Sequence, residues 1–176
     1  MIITLTPDQY VQDDLDAARE IARAITKRWQ KVGHDPGDAK RLYFKIGALR
    51  SERAMAIYGG DPLWERDRNG FRKPDQHGFS VRMASEPGYG LVIHLSRDGD
   101  YPYILVEMQD GDLARLIPGV QFRVIGRMEA RRARELARDG VGHPLPGTTN
   151  PWKIPVSHRG VSLFEPIPVN YYVGLP

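Results

Sequence analysis

Apolar residues recur at helical steps over the first sixty positions of the chain. After a helix start at Thr6-Pro7, apolar positions recur at helical steps up to Trp29. Asp38 can cap a second stretch of this kind, which ends at Gly59. An apolar stripe with this spacing normally faces the core of a globular protein. The stripes are Leu15, Ala18, Ile21, Ala22, Ile25 and Trp29 in the first helix, and Leu42, Ile46, Leu49, Ala56 and Ile57 in the second.

The period of the pattern changes to two after residue 78, which is typical of half-buried strands. Four short runs are predicted as strands, and the first three are expected to pair antiparallel because they are short and sequential. A third helix follows the fourth strand, and one further strand precedes an extended apolar tail. The predicted strands cover 79–83, 91–95, 103–108, 121–125 and 152–156, and the third helix covers 129–138.

The order of these elements predicts an α/β (α+β) fold, in which helices flank a central mixed sheet of about four to five strands. The chain divides into an N-terminal helix over 1–37 that packs on the core, a core domain over 38–165 and a C-terminal tail over 166–176. A length of 176 residues suits one such domain with appendages.

The composition of the chain excludes several classes of protein and of functional site. The chain has no Cys, which excludes disulfides, thiolate zinc sites and a Cys nucleophile. Its apolar runs are too short to span a bilayer, and its first residues lack the regions of a signal peptide. We therefore expect a cytoplasmic protein with no membrane partner.

Charge favours a polyanionic partner without requiring one. The 25 Lys and Arg outnumber the 22 Asp and Glu, which gives a formal net charge of +3 and a pI of about 9.2. The predicted third helix concentrates this excess, with five Arg against two Glu over 127–138. The alternative interpretation of such a run is a solvated helix face.

Familiar catalytic motifs are absent from the sequence. It contains no GxxxxGK[ST] loop, no GxGxxG, no HExxH and no GxSxG, and its five His are scattered. This argues against P-loop ATP hydrolysis, a zinc protease and an α/β-hydrolase.

One group of charged residues has a more specific arrangement. Glu52 lies beside the apolar stripe of the second helix, Asp75 precedes the first predicted strand, and Arg82 lies on that strand. If the helix packs on the sheet, these three residues converge. Two carboxylates can hold one Mg²⁺, which activates water, and an arginine can stabilise phosphate charge. The alternative is a structural ion pair of Arg82 with Asp75 or Glu52.

The order and spacing of these residues resemble the PD-(D/E)XK nuclease superfamily, most closely its phage-encoded members. The resemblance covers about residues 40 to 165 and implies a restriction-endonuclease-like αβββαβ core. The matching segments are Gly47-Ala48-Leu49 with Glu52, Pro74-Asp75 with Gly78, Ser80-Val81-Arg82, the runs LVIHL and YILVEM, and the FRVIG strand with the helix after it.

The resemblance assigns roles to individual positions. Asp75, Glu52 and the backbone carbonyl of Val81 would bind Mg²⁺, or Mn²⁺ as its substitute, and Arg82 would occupy the place of the family's lysine. The sequence departs from the family at two positions, which makes the motif degenerate. Ser80 stands at the second acidic position and is a poor Mg²⁺ ligand, and Arg82 is too basic to act as a general base.

Two further residues are candidates for this site. His77 is a candidate ligand or base, with a surface-loop histidine as the preferred interpretation. Glu107 is a candidate carboxylate, with a solvent-facing strand residue as the preferred interpretation.

The first functional hypothesis is a metal-dependent nuclease that acts on DNA phosphodiesters, with Glu52, Asp75 and Arg82 as catalytic residues. The alternative is a catalytically degenerate protein of the same fold that binds nucleic acid or a protein partner, such as a phage assembly or interaction protein, in the host cytoplasm. The sequence leaves a homo-oligomer open. The residues predicted to contact DNA phosphates are Lys73, Arg127, Arg131, Arg132 and Arg134.

Overall fold

The computed structural model describes residues 1–29, 38–64, 74–96, 98–109, 120–145 and 151–175, with the backbone alone for 23–29, 38–43 and 174. The helices are α1 (Pro7–Trp29), α2 (Asp38–Gly59) and α3 (Ala130–Arg138), followed near the C-terminus by one 3-10 turn (Tyr171–Gly174). The strands are β1 (Ile2–Thr4), β2 (Ser80–Ala84), β3 (Leu91–His94), β4 (Tyr103–Met108), β5 (Gln121–Met128), β6 (His143–Pro144), β7 (Pro151–Ile154), β8 (Ser157–His158) and β9 (Val161–Ser162).

The start of α1 forms as its sequence predicts. The Thr6 side chain accepts a hydrogen bond from the Gln9 amide at 3.4 Å, and the Gln9 side chain accepts one from the Thr6 amide at 2.9 Å. This reciprocal pair satisfies two amides at the helix N-terminus, and Pro7 fits the first helical position because it has no amide to satisfy. In the part of the chain that the structure describes, no helix has the length and apolarity needed to cross a membrane.

The side of α1 that faces the core differs from the predicted stripe. Leu15 is 48% exposed, whereas Tyr10 and Ala17 are buried. The buried side also carries Asp13, whose carboxylate accepts hydrogen bonds of 2.7–3.0 Å from the Arg53 guanidinium of α2. Burial raises the pKa of Asp13, and the Arg53 hydrogen bonds oppose that rise. The ion pair with α2 therefore sets the rotation of α1, which the apolar spacing alone does not reveal.

The main sheet has the strand order β1-β5-β4-β2, with β2 parallel to β4 and the other pairs antiparallel. The prediction of antiparallel pairing for the first three strands is wrong, because β3 leaves this sheet and pairs with β7 in a second one. Gly90 makes this departure feasible. Its φ of +92° suits glycine, and an added Cβ would overlap the Ile154 carbonyl. The predicted mixed α+β class is confirmed, and the predicted mixed sheet of about four to five strands has four, while β1, β6, β8 and β9 were not predicted.

β4 lies at the centre of the fold, and all six of its residues are buried. Ile104 and Val106 join one apolar cluster with Met55 of α2. Tyr103 and Leu105 alternate with them and join a second cluster that includes Leu136 of α3. The sheet therefore has an α2 face and an α3 face, and neighbouring residues of one strand point to opposite faces.

The C-terminal tail closes the α2 side of the fold. It runs extended past Ile167 and ends in the 3-10 turn, where Tyr172 is buried. The Tyr58 hydroxyl of α2 donates a hydrogen bond of 2.6 Å to the Ile167 carbonyl. Gly59 completes the contact, because a Cβ at this position would overlap the Tyr172 ring.

We expect Gly59→Ala to lower the free energy of unfolding by about 1–3 kcal/mol, since the added methyl group overpacks against a buried ring. In an unhindered helix the same change normally stabilises by about 0.5–1 kcal/mol. Urea unfolding monitored by circular dichroism measures the difference. In a Tyr172→Ala background the penalty should disappear. If the penalty persists in that background, the proposed clash is not its cause.

Candidate functional site

Asp75 is positioned by a tight two-residue turn just before β2. The Phe79 amide donates to the Gln76 carbonyl at 2.6 Å, and the two residues between them have positive φ, 41° at His77 and 86° at Gly78. This is the geometry of hairpin turns that favour glycine. The turn brings the Asp75 carboxylate back onto β2.

The Asp75 carboxylate is held by the strand that follows the turn. Its Oδ2 accepts hydrogen bonds from the Val81 amide at 2.8 Å and from the Ser80 hydroxyl at 3.2 Å. Ser80, at the second acidic position of the predicted motif, therefore acts as a donor to the first acid. Val81 also contributes a buried side chain to the cluster on the α2 face.

Glu52 lies on α2, and its side chain is buried with only 4% of the residue exposed. The Gln76 side-chain amide donates a hydrogen bond to the Glu52 backbone carbonyl. Because Gln76 directly follows Asp75, this contact ties the two predicted carboxylate positions to one region of the α2 face. The convergence of the Glu52 and Asp75 carboxylates themselves stays a prediction.

Tyr172 and Asp61 join this region although the sequence analysis did not single them out. The Tyr172 hydroxyl donates to the Gln76 side-chain oxygen at 3.0 Å, and its ring lies 4.3 Å from the His77 ring, centroid to centroid. His77 Nε2 lies 3.3 Å from an Asp61 carboxylate oxygen. His77 is 39% exposed at its side chain, so it pairs with a carboxylate at the surface.

The electrostatic environment of Tyr172 reflects these neighbours. Burial raises the pKa of the Tyr172 hydroxyl well above its usual range, and nearby Tyr171, Asp75 and Asp61 act in the same direction. The hydroxyl therefore stays protonated at neutral pH and serves as a hydrogen-bond donor. No local pattern in the tail sequence indicates this role, because it depends on a contact between residues 96 positions apart.

Arg82 does not join Glu52 and Asp75. It neighbours Val81 on β2 and therefore points to the α3 face, where its guanidinium pairs with Asp98 at 3.0 Å. It also lies over the Tyr103 ring at 5.6 Å. The predicted alternative of an ion pair with Asp75 or Glu52 is corrected to a pair with Asp98.

Asp98 is the centre of a structural network on the α3 face. It accepts hydrogen bonds from the His94 amide at 2.8 Å and from the Tyr103 hydroxyl at 3.3 Å, in addition to the Arg82 pair. Burial raises the pKa of Tyr103 to about 12, and the Asp98 carboxylate adds to that rise. The network fastens the loop after β3 to the sheet.

Glu107 is not solvent-facing, and the preferred prediction for it is wrong. It is fully buried on the α3 face, where its carboxylate accepts hydrogen bonds from the Gly88 amide, the Gln109 side chain and the Arg123 guanidinium at 2.7–2.8 Å. Three donors satisfy the charge that burial would otherwise make costly. The sheet separates this carboxylate from the α2 face that carries Glu52.

The predicted metal ligands supply two carboxylates and one backbone carbonyl at most. Among the residues that the structure describes, no three side chains of His, Cys, Asp or Glu come together as a metal site. One Asp75 oxygen already accepts two hydrogen bonds, and Ser80 supplies no charge. Among the described residues no third ligating side chain therefore joins Asp75 and Glu52, and no step through a metal follows from them.

The predicted phosphate-binding arginines divide into two kinds. Arg134 donates to the Asp98 and Gly99 carbonyls and pairs with Asp100, and Arg127 pairs with Glu165 at 2.8 Å. These two arginines have structural partners. The other two project into solvent from α3: the side chains of Arg131 and Arg132 are 92% and 56% exposed. Lys73 lies outside the described residues.

Comparisons of the chain with protein-family models, with curated proteins and with solved structures found no match.

We expect Arg82 and Asp98 to be coupled in stability, because their ion pair anchors a loop. In a double-mutant cycle of Arg82→Ala and Asp98→Ala, the coupling should reach about 1–2 kcal/mol. Arg131 and Glu135 form the control, since this exposed helical pair should couple by no more than about 0.5 kcal/mol. Urea unfolding of the four proteins in each cycle gives both values. Equal, negligible coupling in the two cycles would contradict the anchoring role.

Proposed function

We propose that this chain is a nucleic-acid-binding protein on a nuclease-like scaffold, and that it contacts the phosphates of DNA through α3 without cleaving them. The restriction-endonuclease-like core belongs to this proposal. The observation that carries it is the separation of the predicted catalytic residues by the sheet, with Arg82 on the α3 face and Glu52 on the α2 face. An arginine that is held by Asp98 on the α3 face is poorly placed to act on the same phosphate as Glu52.

The surface of α3 supports the binding part of the proposal. Its buried side consists of Ala130, Ala133, Leu136 and Ala137, so its arginines are displayed on a helix that is anchored against the second core cluster. The ion pairs of Arg131 and Arg132 with Glu135, at 3.0 and 3.7 Å, are exposed and contribute little to stability. Both side chains can exchange Glu135 for phosphate oxygens, which arginine binds in bidentate fashion.

Metal-dependent cleavage of DNA is the second candidate function. The favouring observation is the burial of Glu52 on α2 in the same region as Asp75, with Gln76 between them. Two carboxylates brought to one place are the type of pair that divalent cations bind, and this candidate requires the Glu52 and Asp75 side chains to form one. Cleavage requires this pair to act without Arg82.

We expect binding of duplex DNA to depend on Arg131 and Arg132. The double variant Arg131→Gln/Arg132→Gln should bind at least about tenfold more weakly, and its log–log salt slope should fall by about 2, one for each lost phosphate contact. Fluorescence anisotropy with a labelled duplex over a range of salt concentrations measures both quantities.

Arg19→Gln is the matched control for this loss. The Arg19 side chain is 56% exposed, as is that of Arg132, and it pairs with Asp16 at helical spacing on α1. We expect the DNA affinity and the salt slope of Arg19→Gln to equal those of the wild type. An equal loss of affinity in the control and in the α3 variant would show a nonspecific charge effect, and would overturn α3 as the contact surface.

Binding of Mn²⁺ separates the two candidate functions without reference to activity. We expect isothermal titration to find no saturable site in the wild type, because one Asp75 oxygen is engaged by the strand and Ser80 brings no charge. The second candidate instead requires a site that is lost in both Asp75→Asn and Glu52→Gln. Gln109→Leu, which alters a donor to the Glu107 carboxylate, should leave such a site unchanged and serves as the control.

A further inference from the structure

The β8–β9 hairpin (157–162) extends from the α3 side of the fold with all six of its residues exposed. Its base is anchored, because the Leu163 amide donates to the Val156 carbonyl at 3.0 Å and both side chains pack against the second core cluster. Phe164, the next residue, is buried in that cluster. A two-stranded hairpin is only marginally stable by itself, so this anchor holds it in place. The exposed hairpin residues are therefore accessible to a partner.

The turn of this hairpin holds an arginine in a backbone conformation that arginine rarely adopts. Its two central residues are Arg159 and Gly160, with φ of 50° and 78°. Two-residue turns with positive φ at both positions normally take Asn or Asp before Gly. An arginine adopts left-handed backbone at an energetic cost, whereas asparagine adopts it more readily. Turn formation thus does not account for the arginine, and such an exception points to a role of its side chain.

The sequence around the hairpin contains no acidic residue. No Asp or Glu occurs in 140–164, although the whole chain of 176 residues holds 22. Arg159 and His158 lie at the tip of the hairpin, and within the described ranges no carboxylate pairs with either of them. Arg127 and Arg134, in contrast, are each paired with a carboxylate. An unengaged guanidinium in a segment without acids is complementary to a polyanion.

The hairpin lies on the same side of the main sheet as α3. β7, which leads into the hairpin, meets the end of α3 at Gly142. A Cβ added there would lie 3.0 Å from the Ala137 Cα and 2.7 Å from the Ile154 side chain. Ala137 and Ile154 both belong to the cluster on the α3 face. The hairpin and the exposed arginines of α3 are therefore on one side of the molecule.

From the exposed hairpin, its unusual turn and its charge, we propose that it is a second contact element for the duplex DNA that α3 binds, with Arg159 on the DNA phosphates. This inference rests on the proposed function. Duplex DNA suits the hairpin, since the major groove admits a two-stranded β-ribbon. Arginine binds phosphate oxygens in bidentate fashion, and each phosphate contact adds to the salt dependence of binding.

The variant Arg159→Asn removes this contact and favours the turn. We expect it to bind a labelled duplex at least about threefold more weakly than the wild type, with a log–log salt slope lower by about 1. Its melting temperature should equal or exceed that of the wild type, because asparagine suits the turn, so a loss of fold does not explain the weaker binding. Arg19→Asn makes the same replacement at a 56% exposed side chain on α1 and should bind like the wild type.

The outcomes separate this inference from the proposed function. If the α3 double variant binds weakly but Arg159→Asn binds like the wild type, the hairpin contact alone is overturned. The hairpin contact is also overturned if Arg19→Asn loses as much affinity as Arg159→Asn. If Arg159→Asn binds weakly and the α3 double variant binds like the wild type, the hairpin contact is supported and the α3 contact is overturned. A wild type that binds no duplex overturns both.

An iron chelate attached to a single cysteine tests the position of the hairpin on DNA, since the chain itself has no Cys. Val161→Cys places the chelate on the hairpin. Val173→Cys is the matched control, because the two valines are 66% and 72% exposed and Val173 lies in the 3-10 turn on the α2 side. We expect cleavage of bound DNA from Val161→Cys only. Equal cleavage from both positions, or none from Val161→Cys while the DNA is bound, overturns the hairpin contact.

Discussion

β4 is buried on both faces, and the two apolar layers of the fold are built on it. Its alternating side chains fill two separate apolar clusters, one under α2 and one under α3. Any polar residue of the sheet must therefore serve one face or the other. The strand period of two assigns Arg82 to the α3 face, and no side-chain rotation can carry it through the sheet to Glu52. The chemistry available on each face follows from this separation.

Ion pairs fix the rotation of α1 relative to α2, and this is the second constraint on the structure. Asp13 and Arg53 form a pair that is nearly inaccessible to water, and Glu20 pairs with Lys45 at 2.7 Å further along the same contact. A buried pair is costly to break because each partner would leave an unpaired charge. The helix therefore turns its ion-pairing side inward and leaves Val11 and Leu15 exposed to water.

Local patterns in the sequence were sufficient for most elements. The capping residues Thr6 and Gln9, the alternation after residue 78 and the amphipathic α3 each reflect interactions among neighbours in sequence. What the sequence could not reveal depends on long-range pairing. Two features depend on where β3 lies, and local spacing does not reveal this. They are the parallel alignment of β2 with β4 and the ion pair of Arg82 with Asp98.

The candidate site could be predicted only in part, because some of its residues come from distant segments of the chain. Asp75 and Glu52 approach one region because a turn and a helix place them there, and both are local features of the sequence. Tyr172 joins them from the C-terminal tail, and the buried Glu107 carboxylate accepts hydrogen bonds from donors in three separate segments. Glu52 and a protonated Tyr172 therefore lie on the α2 face, whereas Arg82 is engaged by Asp98 on the α3 face.

The separation of DNA binding from DNA cleavage is tested by incubating the full chain with an end-labelled DNA duplex and Mn²⁺, with binding and strand length read from the same samples. We expect saturable binding that weakens steeply with salt, together with strands of unchanged length. Shortened strands in the wild type, absent in Asp75→Asn, would contradict it.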